Sequence, residues 1–321
     1  MVDDLSLEKS ILLTLAYYDI LGGYPLTAFE VYKYLIGYTQ VLPFDELLSF
    51  LTDNQRLKKD VSHQNGFYFL KNRENPVKER VERQKVSDQK WKKLKKAVSW
   101  LRIIPFIKAA AVSGSLAINN ARSESDWDLF IIAESGHIWT VRALLIALTQ
   151  LMGQRRHGQI IQDKICLNWF IADQSLELGL KSVSQAQFIS QLTPLWGKEE
   201  FDKFFSANQW TKQHLPFSVE KRNNLREIKQ NVLICGLSGL LKPIFNLKIV
   251  EKKLKKWQKE RIVKKNKPEY LSFTLNEMKK NTQAHLCLSD ETLILQYPDS
   301  RDLQIHRLYA RKIKEILSNC G

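Results

Sequence analysis

The stretch VSGSLAINNARSESDWDLFII, Val112 to Ile132, places a Gly-Ser pair eleven residues ahead of two aspartates that flank a tryptophan. In a β-strand the side chains at i and i+2 share a face, so Asp126 and Asp128 project together while Trp127 points toward a core. Two carboxylates that close repel unless something positive lies between them. A hard divalent cation meets that need. Mg2+ (or Mn2+) suits the pair, because such an ion takes one or two protein carboxylates and fills its other positions with water and substrate phosphate. Upstream, Gly114-Ser115 ends a strand and opens a helix at SLAIN. Glycine permits close backbone approach, and free N–H groups at a helix start attract phosphate oxygens. A phosphate cradle therefore faces a carboxylate pair.

Outward from this stretch, IKAAAVSG reads as a buried strand, DWDLFIIA as a second, TVRALLIALTQLMG as an amphipathic helix and KICLNWFIAD as a third strand. Strands mixed with helices at this density predict a compact α/β module over 104–180. Toward the N-terminus, Leu7, Ile11, Leu12, Leu15 and Tyr18 form a helical stripe that Gly22-Gly23 stops. Thr27 caps a second helix running through Leu35, and a third is predicted from Pro43 to Thr52. RLKKDV and FYFLKN then flank SHQNG, whose Asn65-Gly66 signals a tight hairpin turn. Three helices and a hairpin are the layout of a winged helix, expected over 1–75. Its third helix, PFDELLSFLTDNQ, is acidic and lacks arginines to read base edges, which favours protein contact or positioning over DNA reading. Residues 76–103 predict a basic helical connector with a break near Ser87. One face, Trp91, Leu94, Val98 and Leu101, packs while the lysines point outward. Residues 181–321 read as mainly helical apart from a hairpin around LCLSDETLILQYPDS, giving an α+β chain overall.

At 321 residues and 44% hydrophobic content the chain is long enough for two or three cores. Cys166, Cys235, Cys287 and Cys320 lack the CxxC spacing of a zinc site, and the first residues do not read as a signal peptide, so a cytoplasmic protein with reduced thiols is expected. The apolar run VLICGLSGLL, Val232 to Leu241, is about half of the roughly 20 residues a bilayer requires. It reads as a buried helix, and no membrane span is expected. The net charge of +15 is uneven: residues 71–108 hold 13 Lys/Arg against 4 Asp/Glu, and residues 221–280 hold 17 against 5. Such asymmetry fits a polyanionic partner such as nucleic acid, or else lysine-rich solvated helix faces.

The order strand, Gly-Ser turn into a helix, then a strand bearing Asp-x-Asp resembles the catalytic core of the DNA polymerase β-type nucleotidyltransferase superfamily. It is present here as SGS, ten intervening residues and DWD, within about residues 104–175. The larger arrangement is similar to bacterial nucleotidyltransferase-domain proteins with a winged-helix-like N-terminus. The resemblance implies that Asp126 and Asp128 hold two metal ions and that Gly114 and Ser115 bind the phosphates of a nucleoside triphosphate. The reaction it implies moves a nucleoside monophosphate from that NTP to a hydroxyl on nucleic acid, protein or a small molecule. Arg122 and Lys108, near the site in sequence, would add cationic charge for the triphosphate, and Arg142 could reach a phosphate. Active relatives carry a third carboxylate on the next strand, where this chain has Asn168. That residue is read as a neutral ligand, a mark of weakened catalysis, or a polar residue in a buried strand, with Asp163 or Asp173 as substitutes under another register. The alternative to an enzyme is a degenerate core that serves as a nucleic-acid or protein-binding module.

Overall fold

The computed structural model describes residues 5–71, 73–218, 226–229, 231–281, 283–295, 308–309, 311–313 and 315–316. Ser6 caps α1 (Leu7–Ile20), which ends at Gly22 and Gly23, both at positive φ. After β1 (Leu26–Thr27), Thr27 and Glu30 exchange side-chain to backbone hydrogen bonds as a capping box that starts α2 (Ala28–Lys33). α3 (Phe44–Asp53) and a single turn, α4 (Leu57–Asp60), lead to β2 (Val61–Gln64) and β3 (Phe67–Leu70). Asn65 and Gly66 are both left-handed, at φ 52° and 81°, as a two-residue hairpin turn that matches strand twist requires. β1, β3 and β2 form a small antiparallel sheet.

α5 (Pro76–Ser99) is continuous, so the expected break at Ser87 is absent: the Ser87 hydroxyl donates back to the Arg83 carbonyl and accepts from the Ala121 N–H. Nor do all its lysines point outward. Lys90 is buried, and its ammonium donates to the carbonyls of Ser123 and Ser125 and to Asp163 Oδ1 at 2.7–2.9 Å. A tight turn at Trp100–Ile103 then leads into the main sheet.

That sheet is built from β4 (Ile107–Val112), β5 (Trp127–Ala133), β6 (Ile165–Ala172), β7 (Thr193–Trp196), β8 (Leu271–Ser272), β9 (Leu286–Leu288) and β10 (Thr292–Leu295). Its order is β7-β4-β5-β6-β10-β9-β8, with β5 parallel to β6, β8 parallel to β9 and the other pairs antiparallel. The fold is therefore α+β around a mixed sheet. Residues 181–321, expected to be mainly helical, contribute four of its seven strands, including the expected hairpin.

Both faces of the sheet are covered. Phe130 and Ile132 of β5 pack with Trp169 and Ile171 of β6, the aromatic residues of α1 and the phenylalanines of α9 (Lys198–Ala207). The N-terminal helices share this core. On the other face Trp127, Leu129 and Ile131 pack against α5 and against Trp139 and Leu145 of α7 (Ile138–Leu151). The single turn α6 (Gly114–Ala117) follows β4, and α8 (Val183–Gln191) precedes β7. α11 (Lys248–Lys265) packs on α7, α10 (Val232–Phe245) packs on the turn at Trp100–Ile103, and α12 (Leu275–Lys280) stands between β8 and β9. α10 is not the buried helix its composition suggests: Leu233, Leu237, Leu240 and Ile244 are exposed. Among the described residues no single helix is long and apolar enough to cross a membrane.

Candidate active site

Strand alternation in β5 sends Trp127, Leu129 and Ile131 to the α5–α7 face and leaves Asp128 on the parity of Phe130 and Ile132, with Asp126 just before the strand. Trp127 is buried, as its parity predicts. The loop 119–125 that delivers Asp126 is held from α5 and the N-terminal layer. Arg83 donates to Asn120 Oδ1 (2.9 Å), Asn120 Nδ2 donates to the Leu21 carbonyl (3.3 Å), and Lys90 clasps the carbonyls of Ser123 and Ser125.

Gly114 sits at φ +67°, and a Cβ built on it would lie 2.5 Å from Asp128 Oδ2. Only a residue without a side chain lets this turn approach the carboxylate so closely. Ser115, the next residue, is half-buried in α6. The sequence-predicted aspartates and the glycine therefore converge.

Asn168 joins them through an irregularity. β5 and β6 pair Leu129 with Leu167 and then Phe130 with Trp169, so Asn168 is the extra residue of a bulge, a device that re-aims a side chain. Its Nδ2 donates to Asp128 Oδ1 at 3.1 Å, and its Oδ1 is buried with no partner among the described residues. The two substitutes for the third carboxylate go elsewhere. Asp163 binds Lys90 and Lys93 at 2.7 and 2.6 Å, and Asp173 accepts from the backbone N–H and hydroxyl of Ser135 at the far end of the strands.

Two residues without a predicted role complete the cluster. Arg156 Nη1 donates to Asp126 Oδ2 at 2.5 Å and lies 3.5 Å from Cys166 Sγ. Burial alone would weaken the Arg156 cation, but Asp126, Cys166 and Asp128 together hold its pKa above the usual value. Cys166 pairs with Asp128 across the β5–β6 register. Burial first, then the negative field of Asp128 and Asp126, pushes the Cys166 thiol well above its ordinary pKa, against the opposing effect of Arg156. The ligand atoms of Asp126, Asp128 and Cys166 lie within 4.8 Å of one another.

The remaining candidates stand apart. Arg122 is exposed on the loop, and among the described residues no ion pair joins it to either aspartate; its charge bears on Arg83, whose pKa is lowered by burial and then by Arg122. Lys108 pairs with Glu134 (3.1 Å), and Arg142 donates to Gln258 of α11 (2.5 Å). Neither His137 nor His157, to which the sequence gives no role, joins the cluster: His137 stacks on Phe106, and His157 contacts the Arg155 carbonyl. No protein-family model, curated protein or solved structure matches this chain.

Proposed function

We propose that this chain is a metal-dependent nucleotidyltransferase of the DNA polymerase β type, moving a nucleoside monophosphate from an NTP to a hydroxyl acceptor. The observation that carries the reading is the closeness of the Gly114 turn to the Asp126–Asp128 pair, which brings a would-be phosphate cradle against would-be metal ligands. Gly114 clears the backbone for phosphate approach, Ser115 offers a hydroxyl to a phosphate oxygen, and Asp126 and Asp128 hold Mg2+ or Mn2+.

The donor set fits a hard ion. Two carboxylates and the Oδ1 of Asn168, which has no partner among the described residues, are oxygen donors of the kind a hard ion takes. Bound there, the metal supplies Lewis-acid stabilisation of phosphate charge and lowers the pKa of the acceptor hydroxyl. The exposed lysines of α5, among them Lys92 and Lys96, provide a cationic approach for a nucleic-acid acceptor. The N-terminal helices and hairpin we read as a winged helix that positions partners.

A second reading has its own support. Asn168 in place of a carboxylate, and Arg156 already paired with Asp126, suit a degenerate core that binds without chemistry. Pyrophosphate release from each of the four ribonucleotides with Mg2+, offered cellular RNA and protein as acceptors, tests the enzyme. We expect release by the wild type and none by Asp126→Asn/Asp128→Asn. Metal-dependent nucleotide binding by calorimetry without release would favour the binding module, and absence of both would sink the two readings.

A further inference from the structure

The outward side of α10 carries Leu233, Leu237, Leu240 and Ile244, recurring at three- and four-residue steps, and Leu247 extends the ridge beyond the helix end. Leu233 is 78% and Leu240 72% exposed, and no charged side chain interrupts the row. Scattered single leucines on a surface need no account, but a continuous aliphatic ridge of four turns does. The inward side is satisfied: Ile234 is buried, and Lys242 reaches Glu134.

At Asn246-Leu247 the chain bends, and α11 leaves at 87° to α10. Its outer surface is cationic. Lys248, Lys252, Lys253, Lys256, Lys264 and Lys265 are exposed, Glu260 is the one exposed carboxylate of the helix, and Ile249 and Trp257 stand exposed among the lysines. An aliphatic ridge followed along the chain by an exposed, lysine-rich helix with a half-exposed tryptophan has the chemistry of a headgroup boundary.

We propose that the α10–α11 elbow docks on an anionic lipid surface, α10 lying in the plane of the interface with its leucines among the acyl chains. The lysines of α11 contact the headgroups. At 14 residues α10 is about 21 Å long, short of the ~30 Å hydrocarbon core, so it rests in the interface and does not span. Charge complementarity selects this occupant over a second copy of the chain, since pairing two such elbows would bring two lysine surfaces together. The proposal is independent of the transferase reading.

The test is flotation of the full chain with vesicles of phosphatidylcholine alone or with about one third phosphatidylserine. We expect binding to the anionic vesicles that weakens as salt rises. Leu237→Gln/Leu240→Gln, at exposed positions, should lower partitioning on the order of tenfold with unchanged circular dichroism. Lys252→Glu/Lys253→Glu/Lys256→Glu should remove the preference for anionic lipid. Failure of the wild type to float with anionic vesicles overturns the proposal, as does wild-type partitioning by the leucine variant. So does a solution dimer that the leucine variant dissociates, or binding of RNA by α11 without binding of vesicles.

Discussion

Arg156 supplies the positive charge that two adjacent carboxylates demand in this structure, and it comes from a loop some thirty residues beyond them. Arg156→Ala should therefore destabilise the fold by about 1–2 kcal/mol, toward the low end because the side chain is 36% exposed. Mg2+ should raise the melting temperature of the variant more than that of the wild type, since no guanidinium competes for Asp126; equal shifts in a thermal melt would count against a metal there. Gly114→Ala should cost about 1–2 kcal/mol from its left-handed φ, and more from the clash with Asp128 Oδ2. In an Asp128→Ala background only the first part should remain, so a double-mutant cycle by denaturant unfolding should give a coupling of about 1 kcal/mol or more. Additive losses would mean that the turn and carboxylate do not touch. The aspartates, the glycine and the buried Trp127 were legible because strand parity and a turn residue are local signals. Arg156 and Cys166 were not, because a loop and a parallel strand register bring them in from elsewhere in the sequence.

α5 is fastened by one buried lysine as well as by an apolar stripe. Lys90→Ala would remove three hydrogen bonds and leave Asp163 with Lys93 alone, and we expect a loss of about 2–4 kcal/mol in urea denaturation. The exposed Lys92→Ala and Lys96→Ala should stay within about 0.5 kcal/mol of wild type. Similar losses at all three positions would assign the stabilisation to general charge. The helix itself and its packed face follow from spacing, yet spacing alone reads Lys90 as solvated because its partners lie in a distant loop. Composition misleads in the opposite direction at α10, where an apolar run suggests burial although most of its leucines remain outside. The short strands β7 and β8 carry too brief a pattern to stand out, whereas the equally short strands of the β2–β3 and β9–β10 hairpins are marked by the turns that join them.

At the scale of the molecule, three carboxylates tie outer helices to the sheet: Asp163 holds α5, Glu134 holds Lys242 of α10, and Asp290 holds Lys255 of α11. Burial works to raise the pKa of each, but the paired lysines outweigh it and hold all three below the ordinary range. A depressed carboxylate contributes stability above its unfolded pKa, near 3.9 for Asp and 4.3 for Glu, and that contribution is lost as pH falls through the folded value. From roughly pH 5 downward α5, α10 and α11 should lose amide protection before β5 and β6 do. Hydrogen exchange at pH 7 and pH 4 would reveal this order, and uniform loss would refute it. The strand order has a further consequence, one of time. β6 is completed on its second edge only when Ile171 meets Thr292, about 120 residues further along the chain. At ribosomal speeds that edge stays open for roughly 6–24 s after β6 emerges, a template for pairing with neighbouring nascent chains. A chain stopped after residue 281, which lacks β9 and β10, should therefore collect in the insoluble fraction on translation while the full chain does not. Equal solubility would mean that the open edge is guarded by other means while synthesis runs.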